Sequence, residues 1–182
     1  MIPIGYLAKR IQRRPDWLTS DRVLDVYSVS ACVSGDFADY IPYWRHNGYW
    51  LFDSPEIIIQ LSVDHSIDLK DSSLFYYEAY DQEYNESQNL WRSFRPEDSL
   101  PTNVMVPNQK VLEGYDVVTY FSGCSPECSP LSCNSLADKI ITNQHCLLTS
   151  LQEAISLLTS GKFADSEPGP YRIIAVYSVD WP

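Results

Sequence analysis

Side chains able to do chemistry gather in two places in this chain. The first is a thiol cluster in Gly-Cys-Ser-Pro-Glu-Cys-Ser-Pro-Leu-Ser-Cys-Asn, which carries Cys124, Cys128 and Cys133, with Cys146 further on beside His145. Zinc takes four thiolate or imidazole ligands in a tetrahedron, and short loops supply them in pairs two to four residues apart. Three, four and then twelve residues separate these cysteines, and Pro126 and Pro130 would stiffen the loop. A structural zinc on Cys124, Cys128 and Cys133 is therefore one reading. Against it, free cysteines pack as small hydrophobes, and the two-residue knuckle spacing is absent. The expectation is reduced, metal-free thiols and no cofactor. A zinc deaminase is excluded, because no His-x-Glu precedes the cluster and Glu127, not proline, precedes Cys128.

A nucleophilic thiol needs its pKa lowered by a nearby histidine, cation or helix N-terminus. Residues 111–138 hold no Lys, Arg or His, but do hold Glu113, Asp116, Glu127 and Asp138. Negative surroundings raise a thiol's pKa, so a cysteine hydrolase is disfavoured.

The second concentration is Tyr43-Trp44-Arg45-His46-Asn47-Gly48-Tyr49-Trp50, with Asp53 just beyond. Trp, Tyr and Arg anchor interfaces and line small-molecule pockets. Trp44, Arg45, His46, Tyr49, Trp50 and Asp53 are accordingly the candidate binding residues. The competing reading is that the rings belong to the core, as aromatic residues at helical spacing usually do. Asp53 and Glu56 form an imaginable acid–base pair, but no catalytic residue is assigned. Glycine-rich phosphate loops, HExxH and GxSxG are all absent.

Charge narrows the partners. The 182 residues carry 13 Lys and Arg against 24 Asp and Glu, a net charge of −11. Residues 1–22 are basic, through Lys9, Arg10, Arg13, Arg14 and Arg22 against Asp16 and Asp21. Residues 46–91 hold Asp53, Glu56, Asp64, Asp68, Asp71, Glu78, Asp81, Glu83 and Glu86 against Lys70 alone. A field of that sign repels nucleic acid and anionic membrane and attracts basic proteins. No apolar run reaches the roughly 20 residues of a spanning helix. The odd count of five cysteines argues against a secreted disulfide framework. A cytoplasmic protein is expected, of unassigned oligomeric state.

These side chains must be positioned by some arrangement of helices and strands. Residues 4–14 read as a short basic amphipathic helix ending before Pro15, and 23–33 as a strand rich in β-branched residues. Phe37, Tyr40, Ile41 and Trp44 mark one face of a helix broken at Pro42. Tyr49 to Phe52 is a short strand or extended link. Ser54-Pro55-Glu56 is a strong helix start, predicting a helix to about Val63. Residues 74–84 and 90–94 read as a hairpin, and 115–122 as another strand. Ser150 with Glu153 three residues on is a capping box, opening a helix to about Ser160. Glu167 to Pro170 is a turn. The nearly continuous apolar run 172–179 reads as a central strand buried on both faces. The tetrapeptide Val-Tyr-Ser-Val occurs at 26–29 and again at 176–179, which suggests two strands of one sheet. The order fits a single α+β domain, residues 1–182, with a mixed or mainly antiparallel sheet and a few packed helices.

Three functions remain. The leading one is an acidic interaction protein for a basic protein partner, in an inhibitor, immunity-type or adaptor role. The second is a small enzyme or small-molecule binder with an aromatic pocket around Trp44, His46 and Trp50. The third is the structural-zinc protein.

Overall fold

The computed structural model describes residues 1–30, 47–95, 99–120 and 128–182. The elements in chain order are β1 (Ile2–Lys9), β2 (Gln12–Arg13), β3 (Asp25–Val26), α1 (Pro55–His65), β4 (Ser73–Asn85), β5 (Leu90–Ser93), β6 (Val111–Thr119), α2 (Pro130–Cys133), α3 (Leu151–Thr159) and β7 (Tyr171–Val179). Five strands form one antiparallel sheet in the order β1-β4-β7-β6, with β5 paired to the far end of β4. The helices pack against this sheet, so the domain is α+β. β7 is central and wholly buried over Tyr171–Val176, as its apolar sequence requires. Period two sends alternate residues to opposite faces. Val117 and Ile173 enter one apolar cluster, and Val118 and Ile174 the other.

Three sequence expectations need correction. Of the strand expected at 23–33, only Asp25–Val26 forms among the described residues, because the amides beyond it bond to the His145 carbonyl and the Asp116 carboxylate instead of a ladder. Residues 2–9 form strand β1, not a helix, and every residue from Ile4 to Ala8 is buried. A one-sided helix would leave part of this run in water, whereas an outer strand covered on both faces buries all of it. The Val-Tyr-Ser-Val copies do not share a sheet. Val26 ends the short β2–β3 ladder, while 176–179 lie in β7. Residues 27–30 find polar partners outside any ladder. Tyr27 N–H donates to the His145 carbonyl at 3.2 Å, Val29 N–H to the Asp116 carboxylate at 3.3 Å, and Lys9 Nζ to the Ser28 and Ser30 carbonyls. The expected helical face at 37–44 lies outside the described residues.

The large organising feature is an internal two-fold repeat that the tetrapeptide does not mark. β1, α1 and β4 form one strand–helix–strand unit, and β6, α3 and β7 form the other. Gly5 and Gly114 break the register of their strands at equivalent places, with φ of +136° and +150°. Tyr6 exchanges backbone hydrogen bonds with Phe52 (2.8 and 3.2 Å), and Tyr115 does so with Leu148 (2.9 and 2.9 Å). Asn47 Nδ2 donates to the Ile4 carbonyl at 3.0 Å, and its Oδ1 accepts from the Tyr49 and Leu51 amides. Asn143 repeats this with the Glu113 carbonyl at 2.7 Å and the His145 and Leu147 amides. Trp50 and Cys146, each three residues beyond its asparagine, both have φ of 60°. In the β4–β7 ladder Tyr77 faces Val176, flanked symmetrically by Phe75–Ser178 and Ala79–Ile174. The local axis therefore passes between Tyr77 and Val176, normal to the sheet.

Candidate functional site

The aromatic run singled out in the sequence ends in one of these asparagine turns. Trp44, Arg45 and His46 lie outside the described residues. Asn47 is fully buried and holds its loop with four side-chain hydrogen bonds. The Asp53 carboxylate accepts from Asn47 Nδ2 at 2.9 Å and from the Asn103 amide at 3.0 Å, so it ties two segments together. Tyr49 points inward, 6% exposed, and meets Phe94 edge-on at 5.3 Å. Burial raises the Tyr49 phenol's pKa, and the nearby Arg172 guanidinium pulls it back down.

Arg172 is the residue sequence reasoning missed. Its guanidinium lies 3.8 Å from the ring centres of both Phe94 and Tyr120, and Nε donates to Glu83 Oε2 at 2.9 Å. Glu83 Oε1 accepts from Arg92 Nε at 2.5 Å. Phe94 and Tyr120 thus hold the cation between them, and Tyr49 packs on Phe94 beside it. A readable signal exists: Arg172 is the one charge in the run 172–179, whose apolar character predicts a strand buried on both faces.

The acidic stretch 46–91 divides into internal and outward carboxylates. Glu78 accepts from Lys110 Nζ at 2.5 Å and from the Tyr76 and Tyr177 hydroxyls at 3.1 Å. Burial pushes the Glu78 carboxyl up, but its bonds from Lys110, Tyr177 and Tyr76 outweigh that and hold its pKa below the ordinary value. Glu83 serves two arginines, and Glu86 accepts from the Tyr171 hydroxyl at 3.2 Å. Facing outward are Glu56, Gln60, Val63 and Asp64 of α1, spaced i, i+4, i+7, i+8, followed by Asp68 and Asp71. A hydrogen bond from the Ser54 side chain, then one from its own amide, lowers the Glu56 pKa. The stripe runs into an open groove of about 490 Å³ whose lining includes Tyr6, Pro55, Glu56, Met105, Val106 and Asp180. Met105 and Val106 are 56% and 57% exposed.

A third polar cluster joins residues far apart in sequence. His145 Nδ1 lies 2.6 Å from Asp25 Oδ1, and its Nε2 lies 3.7 Å from Glu113 Oε2. Tyr27 stacks on the imidazole at 4.0 Å, and Ser178 donates to Glu113 at 2.5 Å. The repeat places Ile4, Tyr49 and Ala79 where the second half has Glu113, His145 and Ser178. Nearby, the fully buried Asp116 accepts from Ser129 at 2.6 Å and Ser28 at 2.7 Å. Burial raises its pKa against those bonds and the pull of Lys9.

Of the cysteines, Cys128 and Cys146 are buried and Cys133 partly so, while Cys32 and Cys124 lie outside the described residues. Burial first, then Asp116, pushes the Cys146 thiol far up, which leaves it protonated and unreactive. Among the described residues no group of three or more His, Cys, Asp and Glu converges as metal ligands. Among them, too, no helix is long and apolar enough to cross a membrane. No family model matches the chain, and no curated protein or solved structure does either.

Proposed function

We propose that the protein is an interaction protein that docks a basic protein partner, in an inhibitory, neutralising or adaptor role. The observation that carries this reading is the continuity between the outward stripe of α1 and the groove beside its first turn, joined at Glu56. Cationic side chains of the partner would meet Glu56, Asp64, Asp68, Asp71 and Asp180. An apolar side chain between them would cover Met105 and Val106. Lys110 and Arg172 are engaged with internal carboxylates, while on the outward face Arg10 already pairs with Asp68 at 3.7 Å, so Glu56, Asp64, Asp71 and Asp180 carry most of the attraction. Charge steers encounter and apolar anchors slow departure.

The test begins with affinity capture from source-cell lysate at low and high salt, with mass spectrometry of what is retained. The association rate of the captured partner is then measured on Glu56→Lys, Asp64→Lys and Asp180→Lys combined. At low salt that rate is expected to fall about tenfold or more, while Met105→Ala acts mainly on dissociation. An on-rate unchanged by the three reversals would sink the proposal.

A further inference from the structure

We infer that Arg172, held between Phe94 and Tyr120 with Tyr49 packed beside them, is a binding site for an oxyanion, a carboxylate or a phosphate. The site shares no residue with the proposed partner surface and stands without it.

Three observations converge on it. The first is unspent hydrogen-bonding capacity. A guanidinium carries five N–H donors in a planar fork. Arg172 is 7% exposed, and among the described residues only its Nε finds an acceptor, on Glu83. The two Nη amino groups, the edge that takes two oxygens side by side, bond to no described residue. They are not among the fully buried polar atoms that lack a partner, so the 7% of Arg172 that stays exposed leaves these donors open to a small anion from solvent. The Tyr49 hydroxyl, close enough to Arg172 to feel its charge, likewise makes no hydrogen bond to a described residue.

The second is a local charge imbalance. Glu83, with 8% of its side chain exposed, is shared by Arg92 and Arg172. The Arg92 side chain is 50% exposed and partly met by water, whereas that of Arg172 is 8% exposed, so sharing the one carboxylate leaves part of the buried guanidinium's charge uncompensated. An oxyanion on the free edge of Arg172 would cancel it. The third is the internal repeat. The position equivalent to Arg172 on β4 is Ser73, each being the strand partner of matched residues, Val118 and Lys9. The first unit builds the same strand without an arginine, so the backbone does not demand one here. The flanking rings fix the guanidinium plane, which makes the fork ready for a planar partner.

The experiment is titration of the intact protein with acetate and, separately, with inorganic phosphate at constant ionic strength. Sodium chloride is the control, and the Arg172 Nε–Hε resonance is followed by NMR. The expected result is a saturable shift with one of the two anions and none with chloride. Preference for acetate identifies a carboxylate ligand, and preference for phosphate a phosphorylated one. Arg172→Lys keeps the charge but loses the fork, and is expected to weaken binding at least tenfold, read by calorimetry. Tyr49→Phe leaves the ring packing intact, so it folds even if the lysine variant does not, and is expected to weaken binding by about tenfold. Absence of saturation by both anions in the unaltered protein overturns the inference. So does an affinity that Tyr49→Phe leaves unchanged.

Discussion

Replacing Gly5 or Gly114 by alanine probes the repeat directly, because each glycine sits at the same place in its own unit. A methyl on Gly5 would lie 2.7 Å from Leu51 Cβ and 2.8 Å from the Phe52 carbonyl oxygen. On Gly114 it would lie 2.7 Å from Leu147 Cβ and 2.8 Å from the Leu148 carbonyl oxygen. Neither neighbour is the free end of a flexible side chain, so the strand must move. Forcing extra atoms into a packed site costs about 1–3 kcal/mol. Backbone at φ of +136° or +150° is reserved almost entirely for glycine, at a further cost of about 1–3 kcal/mol for another residue. The two terms give about 2–6 kcal/mol for either substitution. At about 2–4 °C per kcal/mol for a chain of this size, the melting temperature falls by about 4–24 °C. Gly161→Ala is the control. Its φ is +72°, but nothing lies within 4 Å of the added methyl, so the left-handed strain acts alone, at about 1–2 kcal/mol. Urea unfolding of the three variants and of the double variant gives the comparison. Gly5→Ala and Gly114→Ala are expected to agree within about 1 kcal/mol and to add when combined. If either behaves like Gly161→Ala, or if they differ by more than about 2 kcal/mol, the equivalence of the two turns is wrong.

The asparagines at the centres of those turns should behave as a pair as well. Asn47→Ala and Asn143→Ala each strand two backbone amides and one strand carbonyl, which at about 1 kcal/mol per lost bond costs about 3 kcal/mol, read by urea unfolding. Acid should act through two carboxylates in opposite senses. Glu78, held below its ordinary value of 4.5, contributes stability above that pH and loses it as pH falls through its folded value; Glu78→Gln should flatten this acid limb. Asp116, raised above its ordinary value of 3.8, favours the fold in acid and loses that contribution as pH rises toward its folded value, so melting of Asp116→Asn should lack that decline. Nucleic acid is expected not to bind, because Lys9 is buried and Arg10 is engaged with the Asp68 carbonyl and carboxylate; a micromolar, salt-sensitive affinity abolished by Arg13→Ala and Arg14→Ala would contradict this.

By itself the sequence determined the elements whose signals are local. Ser54-Pro55-Glu56 opens α1, with Ser54 extended and Pro55 in the first turn. Ser150 Oγ accepts from the Glu153 amide at 3.2 Å to open α3. Glu153 reaches back to the Thr149 amide at 3.1 Å, one residue earlier than the usual box. The β4–β5 hairpin and the buried β7 were equally legible, because a turn or an apolar run is complete within a few residues. Only the tertiary structure decided what depends on partners far along the chain. The apolar run at residues 2–9 suits a helix until β4 supplies a ladder for it. The two units share Gly-Tyr at 5–6 and 114–115, and then Asn, Leu and Ser at 47, 51, 54 and at 143, 147, 150. Unequal intervals between glycine and asparagine hide that match from any fixed period. Sequence also counts Glu78 and Glu83 as acidic surface, while the fold spends both on Lys110, Arg92 and Arg172. A formal charge is a property of the residue alone. Its field depends on which opposite charge the fold brings within hydrogen-bonding distance and on how much water is left between them.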